Sequence, residues 1–436
     1  MNDGRDIFLG IDIGTSGCRI AAIDISGNLL AEERVAMTSP LRAGLRSEQS
    51  PALWWQTLRA ALAGMVKHIA PEAVRALAID GTSGTLLLAD ERGEPLGPAL
   101  MYDDARSQAE AAHLAAFAAP ESAAHGASSA LAKLLHLQAS TKQARYALHQ
   151  ADWLASKLSG QFGISDENNC LKLGYDPVRR MWPEWIAACD ADMRLLPHVV
   201  PPGSNIGTLQ HPELLALGYS PQLRICAGTT DGVAAFIATG ANVPGDAVTS
   251  LGSTLVVKLL SQTPVFAPAF GIYSHRLGEL WLAGGASNSG GAVLLHHFTI
   301  AQMEHMDAQL NPDAPTNLDY YPLTAPGERF PHNNPTLMPH LTPRPSDDIV
   351  FYQAMLEGIA RIEALGYQRL EELGAPAPKR LMTVGGSARS SAWTRIRARI
   401  LGIPFTAPRS DQAAYGAALI AAGIAVQRQT SDRQSP

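Results

Sequence analysis

The sequence predicts an α/β protein built from two related halves around a central cleft. Three observations predict it. A strand–Gly/Thr/Asp–strand unit opens the chain at Gly10-Ile11-Asp12-Ile13-Gly14-Thr15-Ser16-Gly17, and a similar one recurs between Ala247 and Thr254. Strand-like apolar runs alternate with helical patterns along the chain, the mark of an α/β architecture. At 436 residues the chain has room for two or three domains, each with its own core.

Composition narrows the class. An apolar content of 46% with 17% charged residues describes a globular chain that folds. The formal net charge is −6, with no block of like charge, so a nucleic-acid partner is not expected. Cys18, Cys170, Cys189 and Cys226 lie far apart without a C-x-x-C pair, which points away from a zinc site or a disulfide framework. A reducing, cytoplasmic location fits this usage. Acidic Asp3 and Asp6 lead directly into an apolar strand, so a secretory leader is not expected, and no run is long enough to span a bilayer.

The opening stretch carries its chemistry in the turn. Ile7-Phe8-Leu9 before it and Ile20-Ala21-Ala22-Ile23 after it read as two strands of a hairpin. Glycines let backbone approach a phosphate and turn N–H groups towards it, while Thr15 and Ser16 add hydroxyls. Asp12 is out of place in a phosphate pocket unless a cation sits beside it; nucleotide-borne Mg²⁺ supplies one. An ordinary Gly-rich hairpin is the competing reading.

Along the chain, strands are expected at Ile7–Asp12, Gly17–Asp24 and Leu29–Met37. Ser50-Pro51 then starts a helix through Trp54, Trp55, Leu58 and Leu62, with Ser50 as N-cap and both tryptophans packing. A second strand–turn–strand unit follows: Ala76–Asp80, Gly81-Thr82-Ser83-Gly84 and Thr85–Ala89. Residues 131–160 read as two helices. Leu223–Ala227 leads through Gly228-Thr229-Thr230 to Asp231 and a helix. Strands follow at 255–260 and 280–284. A Pro-rich connector over 320–347 is too irregular for a core element. A helix from Ile349 to Leu373, a strand at Arg380–Val384, a Gly385-Gly386-Ser387 turn and a helix at Ser391–Leu401 come next. A small-residue helix, Gln412–Val426, and a polar tail end the chain.

No P-loop or dinucleotide fingerprint occurs, so phosphate charge must be met by Mg²⁺ and backbone N–H groups. Asp231 is the most telling carboxylate, delivered by a strand to the mouth of a helix. It reads either as a helix cap or as the base taking a proton from a sugar hydroxyl that attacks phosphorus. Ser250-Leu251-Gly252-Ser253-Thr254 offers a second set of N–H and hydroxyl groups, or a bland turn. Gly385-Gly386-Ser387 with Ser390 and Trp393 suits a flat adenine slot at a helix N-terminus. His296-His297 lack ligand spacing and read as non-functional.

In order, these segments resemble the FGGY carbohydrate kinases, which share their ribonuclease-H-like fold with hexokinase, actin and heat-shock ATPase chaperones. The first hairpin is similar to the family's phosphate loop, and Ser47-Glu48-Gln49-Ser50-Pro51 with Trp54-Trp55 to its Glu-Gln-x-Pro-x-x-Trp-Trp helix start. Tyr102-Asp103-Asp104-Ala105-Arg106 resembles its Trp-Asn-Asp-x-Arg segment, and Gly228-Thr229-Thr230-Asp231 the segment bearing the base. Pro326-Gly327-Glu328-Arg329-Phe330-Pro331 is similar to the Gly-Glu-Arg-x-Pro loop, and residues 385–393 to the adenosine segment. Thr82-Ser83-Gly84 stands where bacterial xylulokinases carry Met-His-Gly, so the closer likeness is to the D-ribulose kinase (xylulose-kinase-like) branch. Gly232 stands where that branch often has serine, and Ser390 where it has asparagine.

The resemblance implies two domains, residues 1–242 for sugar and phosphate and 243–427 for nucleotide, with 428–436 as a tail. It implies an ATP- and Mg²⁺-dependent ketopentose kinase with D-ribulose as first-choice substrate. D-xylulose, or another ketose or polyol, is the alternative, and an actin- or chaperone-like ATPase switch is the non-kinase alternative. In this expectation Asp231 is the base, and Asp12 and Asp231 hold metal. Ser83, Asp12 and Asp231 contact sugar. Thr15, Ser16 and Ser253 grip phosphates, while Gly386, Ser390 and Trp393 frame adenosine. The expected partner is a small sugar, with no nucleic acid and no membrane, and the chain itself a monomer or homodimer.

Overall fold

The computed structural model describes residues 6–386 and 390–424. Its contacts divide the chain at Ala238/Thr239 and again at Asp411/Gln412, giving two α/β units.

The first unit begins with β1 (Ile7–Ile13), β2 (Gly17–Asp24) and β3 (Leu29–Ala36), an antiparallel meander. The hairpin β4 (Leu41–Ala43) and β5 (Arg46–Gln49) leads into α1 (Pro51–Met65). Ser50 occupies the N-cap position, but its hydroxyl makes no capping bond. β6 (Val74–Gly81) runs parallel to β1. β7 (Leu86–Ala89) does not fold back on it. It joins β8 (Ala99–Leu100) in a separate sheet, so Gly81–Gly84 is a crossing between sheets and not the expected hairpin turn.

After α2 (Gln108–Leu114), the stretch expected to hold two helices contains α3 (Ala130–Ser140) and α4 (Gln150–Ser159), with strand β9 (Tyr146–His149) between them. The short pair β10 (Ile164–Asp166) and β11 (His198–Val200) follows, with α5 (Trp185–Ala188) between them. Then come β12 (Asn205–Thr208), α6 (Pro212–Ala216), β13 (Arg224–Thr230) and α7 (Asp231–Ala238). The described residues build sheets in the orders β12-β13-β6-β1-β2-β3 and β4-β5-β8-β7-β9.

Alternation along β1 explains its position. Ile7, Leu9, Ile11 and Ile13 point to one face, where they join Trp54, Leu58, Leu62 and Met65 of α1 in a single core. Gly10 points to the other face, and there the chain's end returns.

The second unit opens with β14 (Asp246–Leu251) and β15 (Leu255–Ser261), an antiparallel hairpin, followed by β16 (Tyr273–Leu277) and β17 (Leu280–Ser287). Helices α8 (Gly291–His297), α9 (Ile300–Asp307) and α10 (Asp348–Glu372) come next. Asp347 caps α10, accepting from Ile349 N at 2.8 Å. β18 (Arg380–Val384) lies parallel to β14, as β6 does to β1, and α11 (Ser391–Leu401) follows. The described sheet order is β16-β17-β15-β14-β18.

Residues 320–347 carry isolated bridges in place of named strands. They still contribute to the core, contrary to the expectation of a plain connector: Tyr320, Leu323 and Phe330 are buried. Phe330 fills the space left by two absent side chains, since a Cβ at Gly285 or Gly366 would come within 2.3 Å or 2.7 Å of its ring.

The last described helix groups by its contacts with the first unit. It is α12 (Ala413–Ala421), and a Cβ on Gly10 of β1 would lie 1.9 Å from Ala414 O. Tyr415 donates its hydroxyl to Gly27 O at 2.5 Å. Only small residues permit so close an approach of helix to sheet. The expected tail, 428–436, lies outside the described residues. No described helix is long and apolar enough to cross a membrane.

Candidate active site

The turn joining β1 to β2 is tight and externally braced. Gly14 N donates to Gly17 O at 3.0 Å, and Met37 N donates to Ser16 O at 2.9 Å. Gln49, at the end of β5, donates Nε2 to Thr15 O at 3.1 Å and to Thr38 O at 2.7 Å. Trp54 Nε1 in turn donates to Gln49 Oε1 at 2.7 Å. The Glu48-Gln49…Trp54 motif is thus a brace on the loop bearing Thr15, which is half-buried, and Ser16, which is exposed.

Three carboxylates end three neighbouring strands or their extension. Asp12 on β1 is paired in register with Asp80 on β6, and Asp80 with Thr229 on β13; Asp231 then opens α7. The carboxyl ends of parallel strands are where α/β sheets bind ligands. The cation beside Asp12 in this structure is Arg19, which donates Nη1 to Asp12 Oδ2 at 2.8 Å. Asp80 is fully buried, and neither oxygen has a hydrogen-bond donor. Burial pushes its carboxyl well up, and the charges of Asp12 and Asp231 push it further. Asp231 Oδ1 accepts from Gly232 N at 2.7 Å, and as the first residue of α7 it meets the positive end of the helix dipole.

Half-buried Ser83 follows β6 on a segment pinned from two sides. Thr82 donates its N–H and hydroxyl to Gln150 Oε1, each at 3.0 Å. Lys133 of α3 donates Nζ to Gly84 O at 2.8 Å. Burial first, and then the charge of Lys172, lower the Lys133 ammonium to about 7. The Asp104/Arg106 segment is bound to the start of the α1 motif: Ser47 N donates to Asp104 Oδ2 at 2.7 Å, and Arg106 bridges Asp104 and Glu48, both at 2.6 Å.

In the second unit, Ser253 is exposed in the β14–β15 turn. With Gly252, Gly386, Ser390 and Trp393 it lines a cavity of about 460 Å³. Ser390 caps α11, its Oγ accepting from Trp393 N at 3.1 Å. Ser387, from the expected adenine turn, lies outside the described residues.

Asp12, Thr15, Ser16, Ser83 and Asp231 all lie in the first unit, and Ser253, Gly386, Ser390 and Trp393 line one cavity in the second. Sequence reasoning missed Arg19, Asp80, Lys133 and Gln150. Arg19 was within reach, because a hairpin turning at Gly14–Ser16 pairs position 12 with 19. The other three belong to no local motif. Among the described residues no group of three or more His, Cys, Asp or Glu is arranged to hold a metal ion by itself. Nucleotide-borne Mg²⁺ asks less, one or two carboxylates beside the phosphates, and Asp12 and Asp231 offer that number.

Two α/β units of parallel construction, with carboxylates at strand ends in one and a nucleoside-sized cavity in the other, define the class of two-domain phosphotransferases. The FGGY family of carbohydrate kinases matches with its N-terminal domain over residues 7–238 and its C-terminal domain over 247–425, and the chain belongs to this family. It is 26% identical to the xylulose kinase of Escherichia coli over 416 residues, covering 91% of this chain and 85% of that protein. It is also 26% identical to the xylulose kinase of Streptomyces coelicolor over 438 residues, 96% of this chain and 88% of that one. The fold matches the crystal structure of a xylulose kinase from Rhodospirillum rubrum with a TM-score of 0.85 at 22% identity, covering 98% and 91% of the two chains.

Proposed function

We propose that this phosphotransferase moves the γ-phosphoryl group of ATP to a hydroxyl of a ketopentose, with D-xylulose as the first candidate. The observation that carries the substrate is the agreement of the E. coli and Streptomyces relatives, both named xylulose kinases and both matched over nearly the whole chain. D-ribulose is the second candidate, favoured by the Thr82-Ser83-Gly84 segment, whose hydroxyls replace the bulkier Met-His pair at the sugar.

In this reading Asp231 orients the attacking hydroxyl and takes its proton; a carboxylate suffices because transfer comes late in a loose transition state. Its place at the mouth of α7 sets it at the positive end of the helix dipole. Thr15, Ser16 and Ser253 donate to phosphate oxygens, and Ser83 to the sugar. Gly386, Ser390 and Trp393 frame the nucleoside. Mg²⁺, held by Asp12 and Asp231, neutralises phosphate charge when bound. A cytoplasmic site of action fits a kinase that draws on ATP.

The test is ADP release, measured by a coupled assay, with D-xylulose, D-ribulose, L-ribulose, ribitol and glycerol. Stimulation by one pentulose at least tenfold above the others supports the reading and names the substrate. ADP release that no sugar stimulates favours the ATPase-switch alternative and sinks the kinase reading.

A further inference from the structure

The cavity of the second unit is walled on one side by a single face of α9. Ile300, Met303, Glu304 and Asp307 line it at the three- and four-residue spacing that puts side chains on one helix face. Ile300 and Met303 are apolar, and of the two carboxylates that line the cavity Glu304 is exposed while Asp307 is half-buried. Tyr352 of α10 donates its hydroxyl to Asp307 Oδ1 at 3.2 Å. Burial raises the Asp307 carboxyl, while hydrogen bonds from Ser390 and Tyr352 act to keep it charged. An ionised carboxylate accepts at about four positions, so two donors do not saturate it.

Ser390 is already committed. Its oxygen accepts from Trp393 N at the start of α11. A single hydroxyl cannot present the separate donor and acceptor atoms that an amide would show to a base. Among the described lining residues, Asp307 is a half-buried carboxylate with acceptor capacity beyond its bond from Tyr352.

We infer that Asp307 selects the nucleobase, its carboxylate accepting a hydrogen bond from the exocyclic amino group of adenine. This rests on the reading of the cavity as the nucleotide site. The 6-oxo purines put an oxygen acceptor on the same edge. Set against a carboxylate that oxygen is repelled, and leaving a site's polar group unmatched costs more than trimming an apolar contact.

The experiment is calorimetric binding of ADP, IDP and GDP to the full chain with Mg²⁺, which needs no sugar acceptor. ADP binding at least about tenfold tighter than IDP and GDP, falling to within about threefold in Asp307→Asn, is the expected result. The side-chain amide of that variant can turn its N–H₂ towards O6 of a 6-oxo purine. Equal binding of the three by the unaltered protein, or an unchanged ratio in folded Asp307→Asn, overturns the inference. If that variant does not fold, Tyr352→Phe decides: it removes the donor that helps hold the carboxylate charged and in place and is expected to reduce the ratio about threefold, and an unchanged ratio counts against Asp307. Absence of all nucleotide binding by the unaltered protein would be a failure of the nucleotide-site reading itself, distinct from a failure of base selection.

Discussion

Asp12 and Asp80 face each other in the parallel register of β1 and β6, and only Asp12 has a counter-ion. Arg19 satisfies Asp12 from β2, while Asp80 sits behind it with no donor to either oxygen. Two ionised carboxylates cannot bond one another. Burial comes first in raising the Asp80 pKa, and the charges of Asp12 and Asp231 add to it.

Asp80→Asn therefore keeps the shape without the charge. A folded-state pKa raised above the unfolded value means that stability is fully present below the unfolded value and falls as pH rises through the folded one. Asp80→Asn is expected to be more stable than the parent at pH 8 and to lose less stability between pH 4 and pH 8. Thermal melts over that range check it. A variant that is destabilised equally at every pH would refute the account.

Asp231→Asn removes the proposed base and leaves the hydrogen bond from Gly232 N an acceptor at Oδ1. Loss of a general base typically costs about 10²- to 10⁴-fold. Sugar-dependent ADP release is expected to fall by that much while ADP still binds. Asp231→Ala with full sugar-dependent turnover would end the assignment.

Lys133 tests the reverse sign. Its ammonium is lowered to about 7 by burial, so the unfolded chain holds the proton more firmly than the folded one. Stability contributed by this group is lost as pH falls from its unfolded value through about 7. Lys133→Met, with a similar stem, should gain on the parent at pH 6 relative to pH 10. It also strands Gly84 O, costing about 1 kcal/mol at every pH. Denaturant melts at the two pH values separate the two effects, and a pH-independent difference would contradict the buried-charge explanation.

The second unit has a buried ion pair, Arg397–Glu363, at 2.6 Å with side chains 1% and 0% exposed. Thr249 and Thr383 complete the network, each bonded to one partner. Arg397→Ala leaves a buried carboxylate unpaired and is expected to cost about 3–5 kcal/mol in urea unfolding. Replacing both partners with apolar residues should cost far less, and equal losses for single and double variants would argue against this reading.

What was legible in the sequence was what depends on neighbours along the chain. The run from Ile7 to Gly17 showed both strands, the turn and Asp12 because hairpin pairing is local. Order among several weak motifs then exposed the family. Tyr146–His149 was not legible, since an apolar run of four residues between two helices has no period of its own. Asp80 reads as an ordinary strand end until two distant strands flank it. Gln150 and Lys133 were hidden for the same reason: their partners at Thr82 and Gly84 lie far away in sequence. The packing of α12 was not legible either, because its contact from Tyr415 to Gly27 spans 388 positions.

That contact has a consequence for how the protein is made. Translation delivers β1 first and α12 last, with the whole second unit between them. At about 5–20 residues per second, synthesis from residue 239 to 421 takes roughly ten to forty seconds. Throughout that interval the face of β1 bearing Gly10 waits uncovered, while Thr239–Asp411 emerges as a contiguous piece able to collapse on itself. The unit encoded first is thus completed last, and Gly10 of β1 meets Ala414 of α12 only after the second unit has been made.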